Sequence, residues 1–212
     1  MNKAKIVNLA IGKPKEYKWN NSLEQSAIGK TSVEKLIVKK AEINGDNVAN
    51  LEFHGGMDRV ICLYPAEHYE QWEQEFNTSL SIPAFGENIT ASGMKEEEIC
   101  IGDIFKIGDA IVQVTQGRIP CSTISKYNHI DLFLKRVYES CLTGYFFRVI
   151  EEGCISSDST IELMERHSKG VTVLKATQVL FHDSKNETAI KEILEVNELA
   201  DVWKKQFLKA LK

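Results

Sequence analysis

The chain has 212 residues, of which 43% are hydrophobic and 26% are charged, and its formal net charge at pH 7 is −4. This composition is typical of a globular protein, and the weakly negative charge argues against nucleic acid or a membrane as the main partner. No stretch has the pattern of a signal peptide or the length of a membrane span. The 5 cysteines are scattered without a Cys-x-x-Cys pair, so we expect no disulfide framework, no structural zinc site and a cytoplasmic location.

The first two-thirds of the chain consist mainly of short strand patterns. Alternating or β-branched apolar residues predict strands at 5–11, 36–38, 48–53, 60–64, 104–107, 111–115 and 145–150. Gly108 and Asp109 form a turn signal, so strands 104–107 and 111–115 are predicted to pair as a hairpin. Short strands at this spacing favour a closed or nearly closed barrel over βαβ units.

Helical patterns interrupt the strands twice. Pro65 opens a predicted helix at 67–80, in which Tyr69, Trp72 and Phe76 form one apolar stripe. A second helix is predicted at 132–141, with Asp131 as its N-cap.

The character of the sequence changes after Gly170, where three helical patterns follow one another. They cover 172–181, a stretch capped by Asn186, and 198–211. Such a small bundle would be marginal alone, so we expect it to pack on the preceding part. The predicted fold class is therefore mainly β with α: a β-barrel domain at 1–168 followed by a three-helix domain at 169–212.

Cys121 is the first candidate for chemistry. A nearby cation lowers the pKa of a thiol, and Arg118 lies three residues upstream. Gly117 allows close approach of the backbone to a ligand, and Pro120 stiffens the segment before the thiol. This arrangement at the end of a strand predicts a thiol that is presented rather than packed.

A second cluster is His54-Gly55-Gly56, followed by Asp58-Arg59. Consecutive glycines expose N–H groups that can hold an anion, and Arg59 can bind a phosphate with two donors. The alternative is an ordinary glycine turn with solvated side chains, and spacing alone favours it at least equally.

Two further segments are weaker candidates. Asn88, in the segment 85–89, offers both donor and acceptor and suits the edge of a heterocycle, although a plain turn explains the segment equally well. Lys30 and Thr31 resemble the end of a phosphate loop, but the first glycine of that motif is replaced by Glu24, so a P-loop is rejected. Lys30 and Thr31 remain candidates for contact with a phosphate.

The remaining cysteines and histidines carry weaker signals. Cys62 and Cys141 are predicted to be small core residues. The histidines at 68, 129, 167 and 182 lack metal-ligand spacing. A Cys–His hydrolase has no positive support in the sequence, although its partners would meet only in space.

Six segments in a fixed order resemble the MOSC domain, the family named for the C-terminal domain of molybdenum cofactor sulfurases, and most closely its YiiM-like subfamily. These segments are Ser26-Ala27-Ile28-Gly29-Lys30, His54-Gly55-Gly56 with Asp58-Arg59, Tyr64-Pro65 with Glu67-His68-Tyr69, Pro83 to Ile89, Ile101-Gly102-Asp103, and Arg118 with Pro120-Cys121. The three C-terminal helices resemble the small domain that follows MOSC in this subfamily.

The resemblance implies a barrel like the barrel domain of pyruvate kinase and an essential cysteine at Cys121. In one associated role the thiolate ligates the molybdenum of a molybdopterin-type cofactor, and the protein reduces N-hydroxylated compounds such as hydroxylaminopurines. In the other, Cys121 carries sulfur as a persulfide, loaded by a pyridoxal-phosphate-dependent desulfurase.

The first role implies further site residues. Lys30, Arg59 and Arg118 would meet the phosphate or oxo groups of the cofactor and Asn88 the pterin ring, with Thr31 and His54 nearby. The sequence shows no flavin, haem or iron–sulfur motif, so electrons would come from a separate partner. A binding module that uses the three helices is a third possibility, and it would be unaffected by Cys121→Ala.

Overall fold

The computed structural model describes residues 4–49 and 55–211. Its strands are β1 (Lys5–Ile11), β2 (Lys15–Trp19), β3 (Ser22–Ser26), β4 (Thr31–Ser32), β5 (Lys35–Val38), β6 (Ile61–Pro65), β7 (Ile89–Ser92), β8 (Ile104–Ile107), β9 (Ala110–Gly117), β10 (Tyr145–Glu151), β11 (Gly153–Ser156) and β12 (Ile161–Glu165). Its helices are α1 (Glu67–Phe76), α2 (Thr123–Asn128), α3 (Phe133–Ser140), α4 (Val173–His182), α5 (Glu187–Leu194) and α6 (Asp201–Ala210).

Eight strands form one mixed sheet in the order β12-β8-β9-β10-β6-β7-β1-β4. The hairpin predicted for β8 and β9 is confirmed, and β6 and β7 run parallel because α1 crosses between them. An isolated bridge joins Lys5 to Thr160, just before β12, so the sheet curls into a half-barrel whose edges approach each other. Two small antiparallel sheets, β5 with β11 and β2 with β3, complete the strands of the described part.

The main hydrophobic core runs from the barrel into the C-terminal helices. Leu63, Val114 and Tyr145 of the sheet belong to the same cluster of buried side chains as Trp203 and Phe207 of α6. The predicted fold class, a β-rich barrel followed by three helices, is confirmed, and the helices pack on the barrel as expected. The boundary at 168/169 stays a prediction.

The C-terminal helices begin largely where the sequence predicts. Thr172 caps α4 by accepting from the N–H of Lys175, and Asn186 caps α5 by accepting from the N–H of Ala189 at 3.0 Å. The third helix begins at Asp201 rather than at 198. Within the described ranges, no helix is long and apolar enough to cross a membrane.

Two predicted elements in the first half differ in extent. The helix predicted at 67–80 ends at Phe76, because Asn77 adopts a left-handed conformation with φ of 47°. The strand predicted at 48–53 lies mainly outside the described residues, and Val48 and Ala49 are not part of a strand.

The N-cap predicted at Asp131 is wrong. Leu132 precedes the first turn of α3 and provides no side-chain cap. Instead, Ser125 of α2 accepts a hydrogen bond from the N–H of Leu134 at 2.9 Å. A main-chain N–H at the start of α3 is therefore hydrogen-bonded by a side chain of the preceding helix rather than by the residue next to it in sequence.

The β2–β3 hairpin is absent from the predictions, although its sequence carries a signal. Asn20 and Asn21 have φ of 46° and 64°, as a two-residue type I′ turn requires. Tyr17 and Trp19 stack with ring centroids 4.7 Å apart and stiffen β2. The end of the hairpin and the residues that follow it, 25–30, extend to the candidate site.

Candidate functional site

A pocket of about 180 Å³ lies beyond the end of β9. Its lining brings together Lys30, Arg59, Asn88, Arg118 and Cys121, five of the seven residues predicted from the sequence. The other lining residues are Gln25, Ser26, Ala27, Ile28, Asp46, Val48, Ala49, Val60, Cys62, Gly86, Thr123 and Phe146.

One wall of this pocket is formed by Cys62 and Phe146, which lie on two neighbouring strands of the sheet. Cys62 of β6 pairs with Phe146 of β10, which pairs in turn with Gln116 of β9. Directly paired residues point to the same face of a sheet, and their neighbours point to the other. Leu63 and Tyr145 accordingly point into the main core. The sheet therefore separates the core on one face from the pocket on the other.

Cys121 lies between the end of β9 and the start of α2. Its side chain is half-buried and lines the pocket. Its main-chain oxygen accepts a hydrogen bond from the N–H of Ile124 at 3.2 Å, which ties the segment to the first turn of α2. The thiol thus sits at the surface of a cavity rather than inside a core.

Arg118 joins the pocket to two neighbouring segments. Its main-chain N–H donates to the main-chain oxygen of Gly144 at 2.9 Å, and Nη1 of its guanidinium donates to the main-chain oxygen of Phe85. A guanidinium carries five N–H donors, so one contact to Phe85 leaves donors for a ligand. Arg118 can therefore hold the segment 85–88 and bind an anion at the same time.

Glu87 anchors that segment from the inside. The carboxylate is fully buried and accepts from the Tyr69 hydroxyl at 2.5 Å, the Thr90 hydroxyl at 2.8 Å and the N–H of Phe85 at 3.1 Å. Gly86 has φ of 72°, and a Cβ there would lie 3.2 Å from Cα of Ile28. Glycine is needed for both reasons, and the segment packs closely against residues 26–30.

Lys30 and Asn88 meet at a carboxylate that the sequence analysis missed. Lys30 Nζ pairs with Asp46, and their side chains are only 5% and 10% exposed. Asp46 also accepts from Asn88 Nδ2 at 3.0 Å and from the N–H of Gly12 at 2.7 Å. The charge of Lys30 is therefore partly neutralised, which weakens its attraction for an anion. The turn at Gly45 and Asp46 was the only local signal for this residue.

Asn88 uses its amide to join neighbouring strands. Its Oδ1 accepts from the N–H of Cys62 at 3.1 Å, and its Nδ2 also donates to the oxygen of Ala10 at 3.2 Å. Both ends of this buried side chain are thus engaged with protein groups. Its contact with a pterin ring stays a prediction, and the hydrogen bonds favour a supporting role.

Three predicted residues remain, of which Arg59 lines the pocket and Thr31 does not. Arg59 lies on a single 3-10 turn, Met57–Arg59, where burial lowers its pKa and the charge of Asp58 partly offsets that effect. Thr31 is exposed in β4, opposite Ile11, and is not among the lining residues. His54 lies outside the described residues.

Gly117 serves a different purpose from the one predicted. A Cβ at this position would lie 2.5 Å from Thr177 Oγ1 and 2.9 Å from the ring of Trp203. Helices α4 and α6, rather than a ligand, therefore require the glycine. The C-terminal helices thus pack directly against β9, the strand that leads to Arg118 and Cys121.

Cys62 is buried as predicted, yet it also belongs to the pocket wall. Burial raises the pKa of its thiol to about 11, although Arg118 and Lys30 oppose this effect. The Cys62 thiol therefore stays protonated at neutral pH.

This shift gives a measurable alkaline destabilisation. The thiol ionises more readily in the unfolded chain, so stability is retained below the unfolded pKa and lost as the pH rises towards 11. Between pH 8 and pH 11, wild type should lose about 2–3 kcal/mol more unfolding free energy than Cys62→Ala. Urea titrations at several pH values across this range measure the free energy of unfolding of both proteins. A free energy of unfolding that changes equally with pH in both proteins would contradict the prediction.

The donor set of the pocket suits some metals better than others. In the parts of the chain that the structure describes, no three His, Cys, Asp or Glu side chains lie together as a metal site. The pocket instead offers the Cys121 thiol beside the cations of Lys30, Arg59 and Arg118. This set fits a metal that brings most of its own ligands together with a phosphate, as a pterin-based cofactor does.

The fold and this site define a MOSC domain protein. A MOSC domain model matches residues 50–162, and a model of the YiiM-like 3-alpha helix domain matches residues 171–212. Because the MOSC model covers more than half of the chain, the chain belongs to the MOSC family, and the resemblance stated from the sequence is confirmed.

Several known proteins are similar to this chain. YflK of Bacillus subtilis is 38% identical over 205 residues, 96% of this chain and 93% of YflK. The crystal structure of YiiM from Geobacillus stearothermophilus is 32% identical with a TM-score of 0.85, and the match covers 99% of this chain and 100% of that one. A protein of Gibberella moniliformis named "Reductase" is 33% identical over 131 residues, 60% of this chain but only 23% of that protein.

Proposed function

We propose that this protein binds a molybdopterin-type molybdenum cofactor around Cys121 and reduces N-hydroxylated compounds such as hydroxylaminopurines. The observation that carries the proposal is the convergence of one half-buried thiol with three cationic side chains in a single pocket. A thiolate is a soft ligand that suits molybdenum, and guanidinium groups suit phosphate oxygens. Membership of the MOSC family supports the same assignment.

Six of the lining residues have roles that their contacts permit. Cys121 would ligate the metal, while Arg59 and Arg118 would bind the phosphate or oxo groups. Lys30 would contribute less because Asp46 balances its charge. Asn88 and Asp46 would hold β1, β6 and Lys30 in register around the ligand.

When bound, the cofactor supplies the two electrons that, with two protons, convert an N–OH compound into the N–H compound and water. Cys62, with a pKa of about 11, stays neutral beside it and does not compete as a second thiolate. Electrons would reach the site from a separate reductase partner. The Gibberella protein supports this, because the stretch similar to this chain is a minor part of a longer protein named "Reductase".

Metal analysis tests the proposal against sulfur transfer. Protein purified from a host that makes molybdenum cofactor should contain about one molybdenum and one pterin per chain, and Cys121→Ala should contain almost none. Cys154→Ala is the matched control, since Cys154 is also half-buried but lies in β11 away from the pocket. If no variant holds molybdenum and wild type carries sulfane sulfur on Cys121, the persulfide carrier loaded by a pyridoxal-phosphate-dependent desulfurase replaces the reductase.

A further inference from the structure

Asp58 stands next to Arg59, and its carboxylate contacts β10 and the start of α6. Its Oδ1 accepts from Arg148 Nε at 3.0 Å and pairs with Nη2 at 2.8 Å. Its Oδ2 accepts from the N–H of Asp201, the first residue of α6, at 3.4 Å. The carboxylate thus connects the turn that carries Arg59 to the C-terminal helical unit.

The same junction has a second layer of hydrogen bonds. The hydroxyl of Thr115 in β9 donates to the main-chain oxygen of Asp58 at 2.6 Å. The oxygen of Thr115 accepts from the N–H of Ala200 at 3.1 Å, and Arg148 Nη2 donates to the oxygen of Glu198 at 2.8 Å. The segment before α6 is therefore bound to β9, β10 and the Arg59 turn together.

The turn Met57–Arg59 is a single short 3-10 turn. It comprises three residues, and Gly56 before it provides no side-chain cap. Within the turn, the main-chain N–H of Arg59 donates to the oxygen of Gly56 at 2.9 Å. A single short turn keeps its conformation mainly through outside contacts.

We propose that Asp58 is a positioning residue, which fixes Arg59 at the pocket by fastening its turn to the segment between α5 and α6. The inference rests on the proposed function only in so far as the pocket binds an anionic group. Through its charge alone, a carboxylate beside an anion-binding arginine would weaken anion binding. Its role is therefore one of geometry, and the three C-terminal helices form a support of the site.

Calorimetric titration of the full chain with inorganic phosphate tests this inference, because charge and geometry predict opposite signs. If Asp58 positions Arg59, Asp58→Ala should bind phosphate about tenfold more weakly, the loss expected for one charge-assisted hydrogen bond. Asp58→Asn, which keeps the shape and one acceptor, should fall between Asp58→Ala and wild type. If only charge matters, both variants should bind more tightly. Asp158→Asn, an exposed carboxylate in the turn after β11, is the control and should match wild type.

A double variant locates the effect at Arg59. In an Arg59→Gln background, Asp58→Ala should cause no further loss of phosphate affinity, because the residue it positions is gone. Additive loss, tighter binding by the single variants, or no phosphate binding by wild type would overturn the inference. Should Asp58→Ala fail to fold, Asp58→Asn supplies the same comparison. Absence of molybdenum together with the predicted phosphate pattern would overturn the proposed function alone.

Discussion

Replacing Trp203 with alanine is expected to lower the free energy of unfolding by about 3–5 kcal/mol. Trp203 is fully buried and belongs to the core shared by the barrel and the C-terminal helices. Its ring reaches the position where Gly117 has no side chain and packs edge-on against Phe207, with centroids 5.9 Å apart. Alanine would leave a cavity at the junction between α6 and β9, which that junction cannot close without moving the strand.

Urea unfolding measures this loss, and the melting temperature should fall by about 10 °C. Val202→Ala is the matched control, since Val202 is the preceding residue and is 38% exposed; its cost should stay below about 1 kcal/mol. A separable low-stability transition for the helices, with the barrel unaffected, would contradict the shared core.

Arg118→Gln is expected to speed the loss of molybdenum and pterin from loaded protein about 10- to 100-fold. The substitution removes a cation from the pocket together with the charge-assisted donor to the oxygen of Phe85. Hydrogen bonds of charged groups contribute about 1.5–3 kcal/mol, which corresponds to this range. Both losses act at the same place, because the segment 85–88 and the ligand would share one guanidinium.

The rate of metal release during dialysis measures the effect. Arg118→Lys keeps the charge without the planar fork and should release the metal at an intermediate rate. Arg136→Gln removes an equivalent charge on α3, which does not line the pocket, and should behave as wild type. Equal rates for Arg118→Gln and wild type would exclude Arg118 from the binding site.

Much of the fold could be predicted because its signals are local. Gly108 and Asp109 fix the β8–β9 hairpin, and Asn186 caps α5 through its own side chain. The Asn20-Asn21 pair is an equally local signal for the β2–β3 hairpin. The cap of α3 could not be predicted, because its acceptor is Ser125 on another helix.

In the candidate site, too, the residues with local sequence signals could be predicted, and those that depend on distant contacts could not. Cys121 and Arg118 were found because they follow a recognisable strand within four residues of each other. Asp46 and the pocket face of Cys62 depend on contacts with segments far away in sequence, so their environment was not predictable. Gly117 stands out in the sequence, but the reason why glycine is required there was not predictable. The ring of Trp203, which occupies the space of a side chain at this position, lies 86 positions further along the chain.

We propose that the pocket built on Cys121 supports reduction of an N–OH bond. The most direct test is turnover of a hydroxylaminopurine by molybdenum-loaded protein, with a reduced viologen dye replacing the natural electron donor. Wild type should form the aminopurine with two dye molecules oxidised per product, and Cys121→Ala should form none above the uncatalysed rate. Wild type that holds one molybdenum per chain and still forms no aminopurine would contradict the claim.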